Sequence, residues 1–193
     1  MKDFLQRVVR NKANEAKWLH TLSLLEHIGA RKISRSMGKS HNDELVLRHL
    51  ADEARHAHVF KKLACTLAES ESPEYLCGDA AVHYFQTLDS TVNDWIKSNA
   101  PSNPSYASYL LVTAVIEKRA MKIYPLYRSL TQDDRVRDEL QQIIVEEADH
   151  KPGIEERAEA YLGAAGYTLD AITSLEEKLY QQFESTLMAA SLN

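Results

Sequence analysis

Two cysteines, five prolines and six glycines among 193 residues exclude several kinds of protein at once. Cys65 and Cys77 form no C-x-x-C pair, so neither a zinc ribbon nor a rubredoxin-type iron site is encoded. Any redox chemistry must therefore come from nitrogen and oxygen ligands. The longest apolar run, Tyr109 to Ile116, is far too short to span a bilayer, and the opening MKDFLQRVVR mixes charge into its apolar positions and has no h-region. The expectation is a soluble, cytoplasmic chain that does not meet a membrane. With few helix breakers, few β-branched clusters and abundant Leu, Ala, Glu, Lys and Gln, the composition points to an all-α fold. At this length the simplest organisation is one domain over 1–193, able to bury about two-thirds of its unfolded surface without disulfides.

Charge is unevenly spread. The net charge is −5, yet residues 1–39 hold nine Lys/Arg against three acids, giving +6 there and −11 in the remainder. Such a segment can meet an anionic substrate or partner, or it can complement the chain's own acidic helices.

The chain is organised around Asp52-Glu53-Ala54-Arg55-His56. On a helix, Glu53 and His56 leave the same face one turn apart and can hold one metal ion. A second copy, Glu147-Ala148-Asp149-His150, comes much later. Glu-x-x-His on two helices, with one inward Glu from each of the other two, describes a dinuclear carboxylate centre in a helix bundle, and Glu26 and Glu117 fit the extra positions.

The predicted helices place all of these in apolar stripes. The first runs from Asp3 to Met37, ending at Gly38, with Leu19, Leu22, Glu26, Gly29, Ala30 and Ile33 on one face. After a turn at Lys39–Asn42, with Asn42 or Asp43 as the cap, the second runs to Glu69 with Val46, Leu50, Glu53, His56, Phe60 and Leu67 together. Pro73 breaks the chain, and a crossover segment spans Ala80 to Lys97. The third helix starts near Ser105, carries Leu110, Ala114, Glu117, Met121 and Tyr124, and is kinked or ended by Pro125. The fourth starts after Thr131 and is bent at Pro152-Gly153, beyond Glu147 and His150. A last amphipathic helix, Leu169 to Ala190, packs on the outside. Glu26 and Glu53 lie symmetrically about a turn near residue 40, and Glu117 and Glu147 about one near 132. At 1.5 Å per residue, each pair is level, about 20 Å along its antiparallel hairpin.

Carboxylates and neutral imidazoles suit Fe(II) and Mn(II), and bridging glutamates hold two such ions roughly 3.5–4 Å apart. Glu53 and Glu147 occupy the catalytic positions of that set. His49, one turn before Glu53, is either a seventh ligand or proton relay or a packed histidine. Tyr124 either offers a phenol to the site or fills the core. The small residues Gly29, Ala30, Ala57, Ala114, Ala120 and Ala148 either leave a substrate cavity or allow close helix approach.

On these residues the chain resembles the ferritin-like di-iron carboxylate superfamily, over the hairpins 3–69 and 105–162. Its Asp52-Glu53-Ala54-Arg55-His56 is similar to the D-E-x-R-H element of oxygen-activating members such as bacterial multicomponent monooxygenases and acyl-carrier-protein desaturases. The resemblance implies a ferritin-like four-helix bundle with Glu26, Glu53, His56, Glu117, Glu147 and His150 as metal ligands. Asp52 and Arg55 are then groups that orient the histidines. In the second motif Glu146 and Asp149 stand at the corresponding places, and Asp149 is counted with the outer shell. It further implies two iron ions, with manganese as the substitute, dioxygen as co-substrate, a small organic substrate, an external electron donor or reductase, and room for a homodimer. Three function classes follow. The first is an oxygenase that hydroxylates or desaturates. The second is a ferroxidase or rubrerythrin-like protein that handles iron or peroxide. The third is a scaffold whose metal only fixes the bundle. The layout of the last two core helices also looks somewhat like bacterial tRNA-hydroxylating di-iron enzymes, so modified RNA joins the substrate expectations.

Overall fold

The computed structural model describes residues 1–36, 44–99 and 104–192. These form helices α1 (Lys2–Val8), α2 (Lys12–Ser36), α3 (Glu44–Ala68), α4 (Gly78–Asn99), α5 (Pro104–Leu130), α6 (Asp134–Gly163) and α7 (Leu169–Ala190). The described residues contain no strand, and none of their helices is long and apolar enough to cross a membrane. The end of the first helix at Met37–Gly38, the turn at Lys39–Asn42 and the Asn42 or Asp43 cap lie outside the described residues.

The expected first helix is in fact two. Asn11 Oδ1 accepts the backbone N–H groups of Ala13 at 2.9 Å and Asn14 at 3.1 Å, which satisfies the orphan donors of a new helix start. Asparagine offers the backbone this local alternative, and the sequence pattern reads through it because the apolar spacing continues. The short α1 buries Phe4, Leu5 and Val8, with Phe4 meeting Trp18 edge to face at 5.0 Å.

Pro125 does not end α5, which runs on to Leu130. Tertiary contacts hold the last turn in place: Tyr127 is fully buried and its hydroxyl donates to Glu15 at 3.1 Å, while Thr131 donates to the same carboxylate at 2.6 Å. Likewise α6 continues through Pro152 and Gly153 to Gly163, burying Ile154, Ala158 and Leu162 beyond them. At Gly153 a Cβ would lie 3.2 Å from Leu45 Cδ2, so glycine permits close approach of α6 to α3.

Two antiparallel pairs dominate the packing, α2 with α3 and α5 with α6, and α3–α6 and α2–α5 contacts close them into a ring. Ser23 Oγ donates to the Ala57 carbonyl at 2.7 Å, and Arg157 donates to the Tyr106 hydroxyl at 3.1 Å, fixing the register of the two pairs. Helices α4 and α7 pair with each other and lie against α2 and α5. Part of the basic N-terminal third is answered within the chain: Lys17 pairs with Glu74 at 2.6 Å, Lys12 with Glu69 at 3.4 Å, and Lys32 with Asp89. Arg31, Arg35 and His27 line an open groove between α2 and α4. Replacing the capping side chain in Asn11→Ala should cost about 0.5–2 kcal/mol of unfolding free energy, read from urea titrations.

Candidate metal centre

Helical spacing brings His49, Glu53 and His56 to one face of α3, and Glu147 and His150 to the facing side of α6. Glu26 from α2 and Glu117 from α5 complete the layer. Every one of the seven is buried, with at most 8% of its surface exposed. Their potential ligand atoms fall into two groups, Glu26, Glu53, His56 and Glu147 in one and His49, Glu117 and His150 in the other. Within each group the atoms lie within 4.8 Å of one another. That spread suits donors at about 2.0–2.6 Å around one cation.

The two histidines of the repeated motif are held crosswise. His150 Nε2 meets Asp52 Oδ2 at 2.9 Å, and His56 Nε2 meets Glu146 Oε2 at 2.9 Å. The acid preceding each Glu-x-x-His thus anchors the histidine of the other motif. An Nε2–H donated to a carboxylate leaves Nδ1 as the lone-pair nitrogen, facing inward. Arg55 closes the arrangement by pairing with Glu146 and approaching Asp52 at 3.8 Å. Asp149, expected in the outer shell, is instead largely exposed and pairs with Arg48 at 2.9 Å, because its position in the turn points it off the inner face. Glu146 takes the histidine. Its signal was present in the sequence: it holds the same place in the second motif as Asp52 in the first.

His49 joins the site rather than merely packing near it. Its Nδ1 lies 3.3 Å from the Tyr109 hydroxyl, while Nε2 lies 3.2 Å from Glu53 and 3.3 Å from Glu117. Tyr124 donates to Glu26, so it serves both the core and the site.

The polar atoms left over show what the arrangement lacks. His56 Nδ1, His150 Nδ1, both Glu117 oxygens and Glu147 Oε2 are buried without a hydrogen-bond partner. Buried groups of this kind are normally satisfied, and five in one layer is a large deficit. All five are lone-pair atoms. His56 Nδ1 and Glu147 Oε1 face each other at 3.1 Å with no hydrogen bond between them, a contact that a cation would make favourable. The donor set, four carboxylates and three imidazoles, could hold metal ions with nitrogen and oxygen preferences.

Electrostatics point the same way. Burial, followed by repulsion from Glu53, pushes the Glu26 carboxyl well above the usual carboxylate range, and burial followed by repulsion from Glu147 does so for Glu53 and Glu117. Burial pulls His49 down to about 4 and also lowers His150, with His49 adding to the effect. These imidazoles are neutral near pH 7, the state that ligates. The same burial and repulsion favour the protonated carboxyls, and positive charge nearby would favour the ionised ones.

Beside the carboxylates lies an apolar cavity of about 70 Å³. Leu22, Leu25 and Glu26 of α2 and Ile116, Glu117 and Ile123 of α5 form one side of it. The other comes from Tyr84 and Phe85 of α4 and Tyr180 and Phe183 of α7. The last helix, expected as outside decoration, therefore forms part of the wall. It is tied down by buried Glu176, which receives Arg119 at 3.0 and 2.7 Å and the Tyr84 hydroxyl at 2.7 Å.

No protein-family model, curated protein or solved structure matches the chain.

Two predictions follow from the packing and charge of this layer. Carboxyls with raised folded-state values bind more protons folded than unfolded, so their contribution to stability falls as pH rises from about 4.5 upward. The lowered histidines act oppositely between about 4 and 6.5. Above pH 6.5 only the carboxyl effect remains. The metal-free protein should therefore melt at lower temperature as pH rises above 6.5, and the metal-loaded protein should not. Parallel pH-dependent melts that coincide with and without metal would remove the argument.

At Gly29, a Cβ would sit 2.5 Å from Glu53 Oε2. The flexible carboxylate must move, while alanine itself favours the helix by about 0.5–1 kcal/mol. Gly29→Ala should leave the metal-free melt unchanged or raised yet weaken metal binding roughly 10- to 100-fold, as for lost support of a ligand. Calorimetric titration with Fe(II) or Mn(II) checks it.

Proposed function

We propose that this chain is a non-haem di-iron oxidoreductase, in which α2, α3, α5 and α6 form a four-helix bundle of the ferritin-like kind and dioxygen is used to oxidise a small organic substrate. The observation that carries this reading is the position of the apolar cavity, walled on one side by Glu26, Glu53, Glu117 and Glu147. A centre that only stabilised the bundle would need no such space.

When bound, two ferrous ions supply the electrons that activate dioxygen for hydroxylation or desaturation. The chain's own groups do the rest. Glu26, Glu53, His56 and Glu147 would hold one ion, and His49, Glu117 and His150 the other. Asp52 and Glu146 keep the imidazole nitrogens turned inward. Four ionised carboxylates balance two divalent charges, so the site reaches neutrality without burying net charge. Leu22, Leu25, Ile116, Ile123 and Phe85 exclude water from the face where substrate rests.

An electron donor must come from outside, because no second redox group can be drawn from the cysteines. A small molecule suits the cavity better than a nucleobase of modified RNA. Benzene, smaller than a base, occupies an engineered cavity of about 150 Å³. A cytoplasmic setting is part of the same reading.

Anaerobic loading followed by aerobic titration tests it. Iron oxidation should saturate at about two ions per chain, the capacity of one dinuclear site, and uptake should collapse in Glu53→Ala and Glu147→Ala. Oxidation of tens of ions per chain, with a soluble mineral forming, would make iron storage the better account. No uptake at all would remove the centre.

A further inference from the structure

Two residues that line the cavity carry hydrogen-bond donors without partners. Trp18 Nε1 and the Tyr180 hydroxyl are buried and unbonded, on residues that are 1% and 4% exposed, and both residues line the cavity. An indole N–H can only donate, and burial holds the Tyr180 phenol protonated. A ligand that satisfies them must present an acceptor.

The surrounding charge narrows its class. Arg119 also lines the cavity, but Glu176 takes its Nε at 3.0 Å and Nη2 at 2.7 Å, so that cation is already neutralised. Four carboxylates also line the cavity and disfavour an anion. Volume sets the size. At about 70 Å³ the space is under half of the roughly 150 Å³ that holds benzene, which favours a short aliphatic body over a ring. The hydroxyls of Tyr84 and Tyr124, which also line the cavity, already donate to Glu176 and Glu26.

We propose that this cavity binds a small uncharged aliphatic molecule bearing one oxygen acceptor, recognised by the Tyr180 hydroxyl and the Trp18 indole. The assignment names the substrate class for the proposed oxidoreductase and rests on that reading for its consequence, though the binding itself needs only the chain's own donors.

Three probes of similar size separate the alternatives in calorimetric titrations of the full-length protein, anaerobically iron-loaded and after chelation. They are butanone, its methylene counterpart 2-methyl-1-butene, and propionate. Butanone should bind roughly three- to tenfold more tightly than the alkene, the range expected for one hydrogen bond, and propionate should bind least. Tyr180→Phe, which keeps the ring under Arg119 4.0 Å from its centroid, and Trp18→Phe should each shrink the ketone preference. Equal affinity for ketone and alkene, tightest binding of propionate, or a preference untouched by both variants would overturn the proposal. If the preference is absent from a chain that takes up about two irons, only this inference falls. If it persists in a chain that takes up none, the inference stands and the di-iron reading falls.

Discussion

Four carboxylates held together inside a helical core are the constraint on which this structure turns. Burial and mutual repulsion raise Glu26, Glu53 and Glu117, and the charge of Arg119, which lines the same cavity, is taken by Glu176. Proton retention or bound cations are the remaining ways to hold such a cluster. Burial lowers His49 and His150, and the unpartnered Nδ1 atoms of His56 and His150 are lone-pair atoms in the same layer, which is consistent with cations there. Much of the local design serves that outcome. Gly29 gives Glu53 room, Asp52 and Glu146 aim the histidines, and Arg55 compensates the charge of those two outer acids.

The cover formed by α4 and α7 turns a buried cluster into a site with a face. Packed against α2 and α5, these two helices contribute Tyr84, Phe85, Tyr180 and Phe183, large flat side chains that leave a void instead of filling the gap. Their own attachment is polar. Glu176, Arg119 and Tyr84 form a buried network whose members satisfy one another, with Arg119 stacked on Tyr180. Such a network favours one docking geometry, because sliding the helix would strand a buried charge.

The all-α class, the helix positions and the two level hairpins were legible because they follow from periodicity, which acts locally and is written in every turn. The six residues Glu26, Glu53, His56, Glu117, Glu147 and His150 could be picked out for the same reason: an acid inside an apolar stripe contradicts its surroundings. What escaped was of two kinds. The break at Asn11 depends on one side chain competing for two backbone donors, an event smaller than the apolar pattern around it. The exchange of anchors between His56 and His150, the outward turn of Asp149 and the role of α7 depend on which helices face each other, and periodicity does not encode that. Pro125 shows the opposite bias: α5 runs on past it, because Tyr127 and Thr131 beyond it are buried and bonded to Glu15.

The two ligand groups are not equivalent, and the difference has a direction. Glu26, Glu53 and Glu147 give one group three carboxylates, whereas the other has Glu117 alone with His49 and His150. The apolar cavity touches all four carboxylates and none of the histidines. The imidazoles sit on the α3 and α6 side, His56 and His150 fixed through their outer nitrogens by Glu146 and Asp52, and His49 bonded to Tyr109. Carboxylates can bind a cation through one oxygen or two and swing between those modes at small cost, while an imidazole fixed at both nitrogens cannot. Coordination positions would therefore open toward the cavity, by carboxylate movement, with the histidine side holding the ions in place. Tyr124 limits that freedom at Glu26 and His49 limits it at Glu53 by bonding them, leaving Glu117 and Glu147 as the carboxylates free to give way where a substrate would sit.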